Sequence, residues 1–147
     1  MSSRLGEIEE LKVRVRLLEL GYEVAMPILP SPYDLLIRCE GNQWIKVQVK
    51  KVSHNHSQKN GHVKRIYLYT REKPYKRYRQ EDVDYFIAVD DQFFYVIDYK
   101  QVHGQLLTNC NSRKQNNWSD LPKPYQPVPD LQVIDRQESL QFAVVGQ

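Results

Sequence analysis

Ile8, Leu11, Val15 and Leu18 recur three and four residues apart with charged residues between them, and Gly21 stops the run. That is the period of an amphipathic helix, so residues 5–20 are predicted to form one with these four side chains as its apolar face. A meander of strands follows. Residues 22–26 make a short strand closed by Pro27. Residues 34–39 and 44–51 make two more, joined by Glu40-Gly41-Asn42-Gln43, where Gly41-Asn42 has the composition of a turn. Residues 63–70 alternate well enough to be a further strand. A second hairpin, 83–89 with 93–99, turns at Asp90-Asp91-Gln92. Residues 109–130 hold Pro122, Pro124, Pro127 and Pro129 among many Asn, Ser and Lys, and are predicted to be an irregular loop or arm. A last apolar stretch, 140–145, could return to the sheet. No internal repeat or domain boundary appears, so residues 1–147 are expected to form a single domain.

Composition narrows the class. A chain of 147 residues that is 41% hydrophobic and 27% charged is large enough to bury a core and polar enough to be globular. No run approaches the roughly 18 apolar residues of a membrane span, and the N-terminus turns acidic at Glu7 too soon for a signal peptide. A cytoplasmic protein with no membrane partner is expected. Cys39 and Cys110 lie far apart and outside any C-x-x-C pair, which points to reduced thiols rather than a disulfide framework or zinc knuckle.

Net charge is only +3, but its distribution is uneven. Between residues 50 and 79 stand Lys50, Lys51, Lys59, Lys64, Arg65, Arg71, Lys73, Lys76, Arg77 and Arg79 against Glu72, with Tyr67, Tyr69, Tyr75 and Tyr78 interleaved. Basic side chains neutralise phosphates and tyrosines stack or donate to them, so the segment suits a nucleic-acid surface. The predicted arm adds Asn109, Asn111, Arg113, Lys114, Gln115, Asn116 and Asn117, whose side chains can pair with base edges. His54-Asn55-His56 spells HNH, but that nuclease class draws its letters from residues spread along a ββα unit. With His62 these histidines lack a fourth ligand at zinc spacing, and are expected to be exposed or to touch phosphates.

The strand 44–51 carries the chemistry. Alternation puts Ile45, Val47 and Val49 on one face and Lys46, Gln48 and Lys50 on the other, so Gln48 and Lys50 point the same way. Asp34 opens the preceding antiparallel strand, where its carboxylate can lie beside them. Mg²⁺ takes hard oxygen ligands, and hydrolysis needs a water whose proton leaves easily. Asp34, Gln48 and Lys50 offer two oxygen ligands and one ammonium.

Several runs keep a common register: Gly6-x-x-x-Glu10-Leu11-Lys12-Val13, Leu18-x-x-Gly21-Tyr22-x-Val24-x-x-Pro27, Tyr33-Asp34-Leu35 and Val47-Gln48-Val49-Lys50. Over roughly residues 4–52 the chain resembles the PD-(D/E)-XK nuclease superfamily, and within it the group I intron-associated homing endonucleases of bacteria. The resemblance implies an α/β, restriction-endonuclease-like core with a mixed central sheet and flanking helices. By matching position it implies Asp34, Gln48 and Glu10 as metal ligands, and Lys50 as the residue that positions or polarises the attacking water. Two departures stand out. Tyr33 separates Pro32 from Asp34, and Gln48 occupies a position that is usually acidic, although the intron-associated group is similar in carrying V-Q-V-K there. A glutamine oxygen brings no charge, so Glu10 is expected to compensate. Implied with the family are Mg²⁺ or Mn²⁺, double-stranded DNA as substrate, a homo-oligomer (dimer or tetramer) and action at the bacterial nucleoid. A non-cleaving DNA-binding module with a decayed site and a Holliday junction resolvase on the same core remain as alternatives.

Overall fold

Val13 and Leu17 are completely buried, whereas Ile8, Leu11, Val15 and Leu18 are 41%, 55%, 48% and 58% exposed when taken in the order Ile8, Val15, Leu11, Leu18. The computed structural model describes residues 4–127 apart from 60, 71 and 72. In it helix α1 (Arg4–Glu19) forms as predicted but turns the other way. Residues 9, 13 and 17 recur at i, i+4 and lie on the side of the helix opposite the predicted apolar stripe. Both sides are apolar, so periodicity alone could not say which one meets the sheet.

Strands β1 (Glu23–Ala25), β2 (Leu35–Cys39) and β3 (Gln43–Lys51) form an antiparallel meander. β2 and β3 are joined by a tight 3-10 turn, Glu40–Asn42, with positive φ at Gly41 and Asn42. β4 (Ser53–Ser57) and β5 (Gly61–Tyr67) form a hairpin, and β6 (Tyr85–Asp90) then runs parallel to β3. β7 (Phe93–Asp98) closes the main sheet in the order β1-β2-β3-β6-β7, followed by one turn of helix, α2 (Tyr99–Val102). β8 (Leu107–Asn109) completes a second sheet, β4-β5-β8. The sheet is mixed, as expected, and among the described residues the α-helices are α1 and the short α2. β4 escapes sequence reading because Ser53-His54-Asn55-His56-Ser57 has no hydrophobic alternation.

Two cores share the main sheet. Leu35, Ile37, Cys39, Val47, Val49, Ile87 and Val89 pack with Val13 and Leu17 of α1. Phe86, Ala88 and Tyr95 join Val52, Ile66, Leu68, Tyr78 and Tyr99 in the other. No helix among the described residues is long and apolar enough to cross a membrane. Cys39 and Cys110 are free thiols, each pushed up to about 11 mainly by burial and then by a nearby carboxylate, which keeps them protonated at neutral pH.

The stretch predicted to be an irregular loop holds no strand or α-helix from residue 110 to residue 127; its remainder and the stretch 140–145 lie outside the described residues. Residues 109–127 lie against the sheet, with two 3-10 turns, Ser112–Lys114 and Trp118–Asp120, and a buried Leu121. The Asn117 side chain accepts from Val96 N–H at 2.7 Å and donates to Val96 C=O at 2.8 Å. One amide thereby satisfies the open edge of β7 as a neighbouring strand would. Lys123 C=O accepts from Glu40 N–H and Arg38 C=O from Tyr125 N–H, at 2.9 and 3.2 Å, which brings the proline-rich end beside β2. Asn116 and Asn117 therefore serve the fold, and the expectation that they read bases is withdrawn.

Two substitutions gauge this architecture by urea unfolding. Leu17→Ala is expected to cost about 2–5 kcal/mol as a core cavity, and Asn117→Ala about 1–3 kcal/mol because both Val96 backbone groups lose their partner.

Candidate active site

β2 and β3 pair with Leu35 opposite Val47, so the next position outward sets Asp34 opposite Gln48. Asp34 lies just before β2 rather than within it. Its N–H donates to Val47 C=O, and its Oδ2 accepts from Val49 N–H, both at 2.9 Å. The carboxylate thus caps the ladder where the two strands part. A carboxylate that accepts a backbone N–H is held in one orientation.

Val47 and Val49 fill the α1 core, which sends Gln48 and Lys50 to the opposite face of β3. Gln48 is half-buried. Lys50 is 4% exposed, with Nζ donating to Tyr69 C=O at 2.9 Å and to Tyr78 Oη at 3.0 Å, and lying 4.7 Å from the Tyr78 ring centre. Tyr78 is fixed in turn by its edge contact with Phe86. Lys50 is therefore no part of a basic surface; its ammonium is drawn out of water and aimed by a carbonyl and a phenol.

The helix carboxylates divide differently from expectation. Glu10 is half-buried beside Arg14 and Met26. Glu9 is 8% exposed on the buried face of α1, and its Oε2 has no hydrogen-bond partner among the described residues. A buried carboxylate oxygen without a donor is costly and marks a place for a cation or a proton. Sequence matching singled out Glu10; the i, i+4 relation of Glu9 to Val13 and Leu17 was the signal that would have found Glu9. Among the described residues no three of His, Cys, Asp and Glu gather as a metal-holding group. The oxygens of Asp34 and Gln48 suit a hard cation but are poor in charge. The helix glutamates stand on α1, which packs on the Val47–Val49 side of β3 rather than on the side of Gln48 and Lys50.

The predicted DNA-binding residues separate into two groups. Lys51, Lys59, Lys73, Lys76, Arg77 and Arg113 are exposed. Lys64 pairs with Asp90 at 2.9 Å, Arg79 with Glu81 and Asp82 at 3.2 and 3.4 Å, and Lys114 with Asp120 at 3.7 Å; Arg65 is half-buried. Arg71 lies outside the described residues. Tyr69 meets Tyr75 at a tilt of 55° with ring centres 5.0 Å apart, and Tyr67 meets Tyr69 at 53° and 5.6 Å. Three of the four tyrosines thus form a row of tilted rings, a ladder, while Tyr78 is spent on Lys50. The histidines do meet, on the β4–β5 hairpin. His54 Nδ1 is 2.9 Å from His62 Nε2, and His54 Nε2 is 2.7 Å from Asp90 Oδ1, which ties the second sheet to the end of β6.

The mixed sheet thus sets Asp34, Gln48 and the buried Lys50 near the parting of β2 and β3. The sequence pattern of the PD-(D/E)XK endonuclease family matches residues 1–122, and the chain belongs to that family. Its enzymes are nucleases that generally work with divalent metal ions. Among solved structures, that of a bacterial homing endonuclease, I-Ssp6803I, is similar, with a TM-score of 0.64 and 21% identity over 81% of this chain and 92% of that one. This likeness is one of fold. No curated protein sequence matches the chain.

Burial opposes ionisation of Asp90, but hydrogen bonds from Lys64 and His54 outweigh it and hold the carboxyl below its usual range. The folded state therefore binds this proton less readily than the unfolded chain. The resulting stability is present above the unfolded carboxylate value and is lost as pH falls through the lowered folded one. Urea midpoints measured between about pH 7 and pH 3 should fall less steeply for Asp90→Asn than for the unaltered protein.

Proposed function

We propose that this nuclease is a site-specific homing endonuclease that hydrolyses phosphodiester bonds in double-stranded DNA with Mg²⁺ or Mn²⁺. The observation that carries the reading is the end of the β2–β3 ladder, where Asp34 is locked opposite Gln48 and the buried Lys50 lies on the same face of β3 as Gln48. Asp34 and Gln48, with a helix carboxylate from Glu9 or Glu10, would hold the metal, which supplies charge neutralisation at the phosphate and a more acidic water. Lys50, held by Tyr69 and Tyr78, orients that water and stabilises the charge that develops on the phosphate oxygens. Asp34 is fixed at the end of the ladder by Val49 N–H.

Residues 1–147 are taken as one endonuclease domain acting at the bacterial nucleoid. One site per chain cleaves one strand, so a double-strand cut needs a homo-oligomer, a dimer or tetramer, matched to a two-fold DNA target. The exposed bases Lys51, Lys59, Lys73, Lys76, Arg77 and Arg113 would track phosphates, and the Tyr67–Tyr69–Tyr75 ladder lies in the same stretch of chain. A second reading, a DNA-binding module that no longer cuts, is favoured by one observation alone, the missing charge at Gln48.

Cleavage of linear duplex and of four-way junctions, titrated with Mg²⁺, separates these readings. Asp34→Asn should abolish cutting with DNA binding retained, and Lys50→Ala should slow it by roughly ten- to a thousandfold. Gln48→Glu should cut at lower Mg²⁺ and Gln48→Leu only at higher. Identical titrations for Gln48→Leu and the unaltered protein would remove Gln48 from the site. No cleavage by either the unaltered protein or Gln48→Glu would favour the binding module, and preference for junctions would favour a resolvase.

Binding has its own test. Replacing Lys51, Lys76 and Arg77 together by Ala should weaken DNA binding regardless of sequence and reduce the salt slope by about 0.9 per lost phosphate contact. Unchanged affinity and slope would place the DNA elsewhere.

A further inference from the structure

Helix α1 has two apolar sides and, among the described residues, one cover. Val13 and Leu17 face the main sheet, while Ile8, Leu11, Val15 and Leu18 form a continuous strip on the opposite side, each more than two-fifths exposed. Phe94 borders the strip on one flank and Met26 on the other, where Leu11 lies in clefts with both. A helix that is apolar on opposite sides is ordinarily sandwiched between two layers, and monomers rarely expose a contiguous patch of this kind.

We infer that this strip is the contact between two copies of the chain, with their α1 helices packed antiparallel about a two-fold axis near Val15. The spacing of the strip supports self-pairing. An axis at Val15 brings Leu11 of each copy against Leu18 of the other. The same axis sets Lys12, three residues before Val15, beside Glu19, four residues after it, and does so twice by symmetry. Lys12 and Glu19 both line the open groove with Val15. Lys12 Nζ donates to Asp91 C=O at 3.3 Å and Glu19 lies 3.8 Å from Arg16, exposed contacts that pairing between copies would exchange. The strip thus carries opposite charges at the positions that two-fold symmetry makes neighbours, as an isologous contact requires. α1 has 16 residues and so is about 24 Å long, which lets two such helices lie side by side at roughly the 8–10 Å spacing of packed helices. Val13 and Leu17 stay on the sheet throughout, so pairing needs no rearrangement of the chain. The inference deepens the oligomer that the proposed function requires by naming its surface.

The test measures the mass of the full-length protein by sedimentation across a range of concentrations, with circular dichroism as a check on folding. The unaltered protein should sediment as a multiple of 17.5 kDa, and Val15→Glu should raise the dissociation constant about a hundredfold or more, since two carboxylates would meet at the axis. Because Val15→Glu alone could disturb the helix, the charge exchange is the second arm. Lys12→Glu and Glu19→Lys should each weaken association about fivefold or more, and the double variant should restore it. A monomeric unaltered protein would overturn the proposal. Folded variants that all keep the original mass would overturn it too. Mass is read without DNA or metal, so a failure of the nuclease reading would show in cleavage and leave this measurement untouched.

Discussion

β3 is hydrogen-bonded along both edges, antiparallel to β2 and parallel to β6, and its side chains consequently have two directions to take. Val47 and Val49 go to α1 and complete a closed apolar core. Gln48 and Lys50 are left on the other face, and that face cannot be equally apolar without burying the lysine among carbon. Tyr78 and the Tyr69 carbonyl resolve the conflict by giving Nζ two acceptors at 2.9 and 3.0 Å. The candidate site is thus the polar remainder of a strand whose other side is committed to the core, and its precision comes from pairing on both edges rather than from any loop.

The same constraint explains what could be read from the sequence. Alternation along β3 is local, and the two-residue-positive-φ turn at Gly41-Asn42 fixes its register with β2, so the meeting of Asp34 with Gln48 followed from counting. The direction of α1 did not follow, because Val13 and Leu17 repeat at helical spacing no less well than Ile8, Leu11, Val15 and Leu18. That ambiguity carried over to the carboxylates: once the buried side is Glu9, Val13 and Leu17, it is Glu9 that loses water. β4 was missed because its stability comes from cross-strand partners and a tie to Asp90, not from apolar alternation. Asn117 was misread for a related cause. Its partner, Val96, lies 21 residues earlier and is a backbone edge without a sequence signature.

Basic residues teach the same lesson about environment. Lys50, Lys64, Lys76 and Arg79 look alike in a charge count, yet one is buried on a tyrosine, one holds Asp90, one is exposed and one is bound to two neighbouring carboxylates. A lysine already paired gives up that contact before it can neutralise a phosphate, whereas an exposed one releases only counterions. The exposed and unpaired charge is therefore less than the run between residues 50 and 79 suggests, and among the described residues of that run it is concentrated at Lys51, Lys59, Lys73, Lys76 and Arg77.

Gln48 is best understood through the same balance of charge. An acid at that position would add attraction for a cation but would stand on one face with a carboxylate already held at Asp34, and like charges in a partly dehydrated site raise each other's proton affinity. Under the proposed function, the amide would keep a hard oxygen donor and avoid that repulsion, at the cost of a weaker hold on the metal in the free protein. In the proposed reading the missing negative charge is supplied by the substrate, because a phosphodiester oxygen is itself a hard anionic ligand. Metal and DNA then strengthen each other's binding by the same factor, as linkage demands. A nuclease built this way is poorly loaded until DNA is in place, and a glutamine in the metal site is consistent with an enzyme that must cut at few positions.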